Sequence, residues 1–137
     1  MNNILLKNKL LIFIIFNIFF SIFYLYSKHE VGNDTSISEW LINYQGGFTR
    51  RGLGGEINIF LSNFFSLSLR DSIFFLQTTI HTTYLLFVLI YFKNLRLNTL
   101  QIFAFFSPIF LLYPVAEIES LGRKEILICL CFVSILI

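Results

Sequence analysis

Apolar residues run almost unbroken through four stretches of this chain, and polar residues gather in the gaps between them. The first stretch, residues 10–26, follows a short start that carries Lys7 and Lys9. As a helix its roughly 17 residues reach about 26 Å, enough to cross most of a ~30 Å hydrocarbon core with Tyr24 and Tyr26 at the interface. A cleaved signal peptide would share the basic start. The run is long for one, however, and Leu25-Tyr26-Ser27 lacks a small-x-small cleavage pattern, so an uncleaved span over about 10–27 is expected. A second span is expected over 72–92, bounded by Asp71 and Lys93. A third is expected over 99–115, where Pro108 and Pro114 bend or end the helix. The fourth run, 126–137, reaches only about 18 Å before the chain stops. The pattern predicts an all-α polytopic integral membrane protein with three full transmembrane helices and a truncated fourth. It reads as one membrane domain over 1–137, the N-terminal piece of a longer protein.

Two polar segments interrupt the spans, at 28–71 and 116–125. In the first, Ser36 and Glu39 have the S-x-x-E spacing of a capping box. Ile37, Trp40, Leu41 and Tyr44 then recur at i, i+3, i+4 and i+7, the stripe of a short amphipathic helix lying on the membrane surface. Residues 57–69 predict a further helix of roughly 20 Å, too short to span comfortably. Asn58, Ser62, Ser66 and Arg70 draw a polar line down it. An interfacial or re-entrant helix between spans 1 and 2 fits this, and re-entrant backbone needs protein or water to cover it. Within the second span, Gln77, His81 and Tyr84 fall on one face, which should look into the protein.

Composition agrees with this pattern. Apolar residues make up 56% of the 137, charged residues 13%, against about 25% charged in an ordinary soluble domain. The net charge of +2 and the scattered basic residues argue against a nucleic-acid partner. The bilayer is the expected partner; other membrane subunits are not specified by the sequence. Cys129 and Cys131 would point about 200° apart on a helix and cannot converge on one metal. The basic residues of the N-terminus and of the 93–98 turn come without acids, which places the N-terminus in the cytoplasm. With 57–69 not crossing, the segments 28–71 and 116–125 then share the outer face.

The candidate chemistry lies in those two outer loops. Residues 43–56 hold five of the seven glycines and the adjacent Arg50 and Arg51. Glycines such as Gly46 and Gly47 let backbone NH groups face one way, and a following helix N-terminus favours an anion that the arginines could grip. The alternative is a tight structural loop whose arginines pair with Glu39, Glu56 or lipid headgroups. In the second loop, Glu117 or Glu119 could act as general base while Arg123 and Lys124 hold a charged substrate. An ordinary solvated loop is the other reading. Asp34 and Glu39 are further candidate bases or simple helix caps, and His81 is either a substrate or proton contact or a hydrogen-bonding residue between helices. No P-loop, dinucleotide fingerprint or H-E-x-x-H is present. No cofactor is evident, although a divalent metal bridging a diphosphate to a carboxylate would be compatible with these side chains.

The segments Trp40-Leu-Ile-Asn-Tyr-Gln-Gly-Gly-Phe-Thr-Arg-Arg-Gly-Leu-Gly-Gly-Glu56 and Gly122-Arg-Lys-Glu125 resemble the N-terminal part of uncharacterised bacterial polytopic inner-membrane proteins. Those proteins are found with surface-polysaccharide genes and are compared with membrane glycosyltransferases or repeat-unit polymerases. The resemblance implies a polyprenyl-phosphate-linked substrate held by Arg50, Arg51, Arg123 and Lys124. The chain departs from lipid-linked-sugar transferases in having no adjacent Asp-Glu pair in its first outer loop, which puts Asp34 and Glu39 in doubt as catalytic groups. A non-enzymatic transporter or assembly subunit, or an inactive truncated product, are the alternatives.

Overall fold

The computed structural model describes residues 2–31, 35–48, 52–94 and 121–136, and every regular element among them is helical. In chain order they are α1 (Asn2–Glu30), α2 (Thr35–Leu41), α3 (Leu53–Phe65), α4 (Leu69–Asn94) and α5 (Ile126–Leu136). Two of them are long and apolar enough to cross a membrane, over Lys7–Glu30 and Leu69–Lys93. The expected span over 99–115 lies outside the described residues. The run at 126–137 forms α5, which has 11 residues.

α1 is apolar all round, yet its two faces differ. Ile14, Ser21 and Leu25 are buried, whereas Ile12, Phe16, Phe19 and Phe23 stand 66–69% exposed. Both sets follow helical spacing, so one face packs on α4 and the other presents bare aromatic and aliphatic surface, as lipid-facing positions do. The two helices are antiparallel. Lys7 Nζ donates to the Lys93 carbonyl at 3.0 Å at one end. At the other, Arg70 Nη2 donates to the Val31 carbonyl at 2.6 Å, and His29 Nε2 lies 3.0 Å from Asp71 Oδ1. The 22 residues from Asp71 to Lys93 rise about 33 Å, so these two charged groups sit about one hydrocarbon thickness apart.

α5 runs parallel to α4. Gly122, just before α5, accepts a hydrogen bond from Gln77. Further along, Ile126 and Val133 join Ile14, Tyr84, Leu85, Val88 and Phe92 in one buried cluster.

α3 and α4 form a tight helical hairpin. Ser66 ends α3 in the left-handed region, at φ 53°. Ser68 then caps α4: its hydroxyl lies 3.1 Å from the Asp71 NH, which donates to it, and donates to Asp71 Oδ2 at 2.5 Å. Half of a capping box is present, the bond from the Asp71 NH, while the Asp71 carboxylate takes the Ser68 hydroxyl in place of the Ser68 backbone NH. Ser36, expected as the N-cap of a capping box with Glu39, lies instead inside the first turn of α2, which begins at Thr35, and is buried there.

The helix expected over 57–69 starts four residues earlier, absorbing Gly54 and Gly55, and also ends four residues earlier. Its polar line therefore spans a helix, a turn and a second helix. Asn58 Oδ1 accepts from Ser72 Oγ at 2.6 Å while Asn58 Nδ2 donates to the Leu69 carbonyl at 3.2 Å. Ser62 Oγ donates to the Leu67 carbonyl at 2.7 Å. The stripe is the hairpin's clasp. Asn58→Leu should cost about 1 kcal/mol, the net worth of the side-chain hydrogen bonds it removes, because the Ser72 hydroxyl keeps its 3.1 Å bond to the residue 58 carbonyl; a denaturant titration in detergent micelles measures it.

Candidate functional site

α2 is only seven residues long, yet it carries the fully buried Trp40. Sequence spacing placed this ring on the membrane surface; the structure turns it inward. Its Nε1 donates to the Gly122 carbonyl at 2.6 Å, and Gln77 Nε2 donates to the same oxygen at 2.8 Å. One carbonyl with two lone pairs thus ties α2 and α4 to the turn before α5. Gly122 has φ +90°, and a Cβ there would meet Gln77 Nε2 and Leu25 Cδ2, each at 3.2 Å. The conformation calls for glycine here, and the space for a side chain is tight.

The node fixes Lys124 two residues on. Its Nζ lies 5.7 Å from the centre of the Trp40 ring, within cation–π range. Beneath it is the first turn of α3, where a Cβ on Gly54 would meet Lys124 Cε at 3.1 Å and Nζ at 3.2 Å. Gly55 faces the other way, against the end of α2, where its bare Cα abuts the Ile42 carbonyl. The two sequence motifs, far apart in the chain, therefore meet as Trp40, Gly54, Gly122 and Lys124.

From this meeting point a groove of about 330 Å³ runs between α3, α4 and α5. Ile57, Leu76, Ile80, Leu127 and Ile128 form its apolar walls, and Lys124 and Glu125 stand at its polar end.

The other expected site residues fall elsewhere. Gly46 and Gly47 are exposed in a turn closed by Gly47 NH on the Tyr44 carbonyl at 3.0 Å, with Gly47 at φ +114°. Beside it Phe48, 93% exposed, stacks on Tyr44 with ring centres 5.8 Å apart. Arg123 is exposed. Glu39 is half-buried, and its Oε2 is buried without a hydrogen-bond partner among the described residues. His81 lies on the inward face of α4 with Gln77 and Tyr84, as its spacing predicts, and is 3% exposed. Neither His81 nitrogen, nor the Tyr84 hydroxyl, has a hydrogen-bond partner among the described residues. Asp34, Arg50, Arg51, Glu117 and Glu119 lie outside the described residues.

Sequence reasoning missed two members of the node. From sequence Gln77 reads only as an inward polar residue and Trp40 as an interfacial one. The signal for both is a buried-type donor at the same depth as a lone glycine carbonyl, and nothing in one sequence pairs residues 40, 77 and 122. Among the described residues no group of three or more His, Cys, Asp or Glu is placed to hold a metal ion. Cys129 is half-buried and Cys131 exposed, diverging as their spacing requires.

Comparison of the chain with protein-family models, with curated proteins and with solved structures finds no match.

Proposed function

We propose that this chain belongs to a membrane-spanning protein of bacterial surface-polysaccharide assembly that holds the anionic head of a polyprenyl-phosphate-linked saccharide, as a transferase or polymerase component. The observation that carries the reading is Lys124, held over Trp40 against the N-terminal turn of α3 at the polar end of an apolar groove. A cation and a helix N-terminus both favour an anion at that point. Long apolar walls beside it suit an amphiphile better than a soluble anion. The resemblance of residues 40–56 and 122–125 to polysaccharide-cluster membrane proteins supports the same class of ligand. In this reading the protein sits in the inner membrane with Lys7 and Lys93 on the cytoplasmic side and the Lys124 site toward the outer side.

The third span expected over 99–115 belongs to this reading, and its residues lie outside the described ones. Binding tests the proposal. Lys124→Ala should weaken polyprenyl phosphate binding about tenfold or more, the worth of one charge-assisted contact, while Lys124→Arg retains most of it. Microscale binding in detergent reads this directly, and unchanged affinity in Lys124→Ala would sink the assignment.

A second reading, a non-enzymatic transporter or assembly subunit, is favoured by one observation: His81 and Tyr84, whose polar atoms have no hydrogen-bond partner among the described residues, lie near mid-depth between the two charged groups. Buried polar side chains at such depth mark pathways in membrane proteins. Loss of cellular function in His81→Ala with Lys124→Ala silent would select it.

A further inference from the structure

We propose that the groove between α3 and α5 takes the hydrocarbon chain of this ligand sideways from the bilayer, so that the head reaches Lys124 below the outer membrane surface. The inference rests on the head-group reading above and adds to it the chain's seat and its route of entry.

Depth is the first argument. Asp71, His29, Glu30 and Arg70 cluster at the outer end of the α1 and α4 pair. Gln77 is six residues further along α4, so the Gly122 node lies about 9 Å inside that charged group. α2 and the first turn of α3 meet at this node. α3 then climbs back along α4, with Ile57 near Leu76 and Ile80, and Asn58 bonded to Ser72 and Leu69, to reach the turn at Ser66. The α2–α3 segment therefore dips below the outer charged group and returns. With the charged group placed at the outer membrane surface, such a segment would be re-entrant, which needs cover by protein or water for its polar groups.

The groove is the second argument. It starts at that depth and continues along Ile80 and Ile128, residues whose level is the apolar interior of the helix pair. Ile128 is 72% exposed and Ile57 43% exposed, so the groove opens outward between α3 and α5. An opening at hydrocarbon depth admits a lipid chain, not a soluble solute. Its volume of about 330 Å³ is at the small end of ligand sites, enough for part of a chain whose remainder stays in the bilayer. Charge selects the occupant: Lys124 and the α3 N-terminus sit at the shallow end, where an anionic head would come to rest. Glu125 also lines that end. It stands at the start of α5, where its charge is favourable to the helix, and it opposes the ligand's charge.

Photolabelling the full chain in lipid nanodiscs tests this. The probes are polyprenyl phosphate and neutral polyprenol, each with one diazirine near the head end of the chain. The phosphate probe should label peptides holding Ile57, Ile80 and Ile128 above those holding Phe16, Phe19 and Phe23. Ile80→Phe with Ile128→Phe should cut groove labelling, about fourfold for each methylene displaced. Glu125→Gln should raise phosphate-probe labelling. Fluorescence of the single tryptophan, Trp40, checks that the variants keep the fold. Labelling spread equally over α1 and the groove, or indifferent to groove filling in folded variants, overturns the inference. If Lys124→Ala still abolishes phosphate binding in that case, the head-group site survives without the groove. If both probes label the groove equally and Lys124→Ala changes nothing, the groove binds a lipid chain and the head-group reading falls.

Discussion

Gly55→Ala should fail to give stable protein, with the Trp40 emission shifted to that of a water-exposed indole and a loss of about 3 kcal/mol or more. Overpacking a core with one methyl typically costs about 1–3 kcal/mol, because side chains can move aside. Here the atom in the way is the Ile42 main-chain carbonyl, with the Asn43 nitrogen next to it. Main chain cannot rotate away, so α2 must separate from α3, and the Trp40 node separates with it. Gly54→Ala is the control. Its Cβ would meet the end of the flexible Lys124 side chain at 3.1 Å and the Trp40 ring at 3.3 Å. Alanine also gains about 0.5–1 kcal/mol over glycine within a helix. Gly54→Ala should therefore be near neutral in stability while moving the Lys124 ammonium. Two adjacent glycines, one turn of helix, and opposite outcomes are the measurable signature of α3 crossing α2 at Gly55.

Those glycines also mark where the sequence stopped being readable. The long helices were legible because apolar length and charged ends at Lys7, Asp71 and Lys93 leave few other arrangements for 20-residue runs. The inward face of Gln77, His81 and Tyr84 was legible for the same reason, as polar groups avoid lipid. The stretch 43–56 looked like a single glycine-rich loop because glycine is a poor helix former by propensity. Close approach of two backbones overrides propensity, and only the position of Ile42 reveals it. Asn58, Ser62 and Ser66 had helical spacing but served a hairpin, since Ser66 adopts φ 53° and Ser68 starts a new helix. The convergence of Lys124 with the first loop was expected from a shared membrane face. Its partners were not, because the node is built on a backbone carbonyl, and a carbonyl carries no sequence signature.

Removing both donors to that carbonyl should cost more than the sum of removing each. Trp40→Phe keeps an aromatic ring in the buried site and deletes the indole NH; Gln77→Leu keeps volume and deletes the amide. In either single variant the Gly122 oxygen still accepts one hydrogen bond, so Gln77→Leu should lose about 1 kcal/mol, near the usual net worth of a hydrogen bond. Trp40→Phe should show that loss plus about 1 kcal/mol or more for the cavity its smaller ring leaves. In the double variant a buried carbonyl is left without a partner, which adds about 1–3 kcal/mol beyond additivity. Trp40→Ala is the more severe change: it empties the volume of the largest fully buried side chain and should cost about 3–5 kcal/mol. Chemical denaturation followed by circular dichroism gives all four values without relying on the tryptophan itself. An additive double variant would mean that the Gly122 carbonyl finds water when its donors are removed. The turn before α5 would then be wet, and Lys124 would owe its position to the Trp40 ring and the α3 backbone alone. Coupling above additivity places the carbonyl in a dry interior, where the same two donors that hold the fold also hold the cation at the groove.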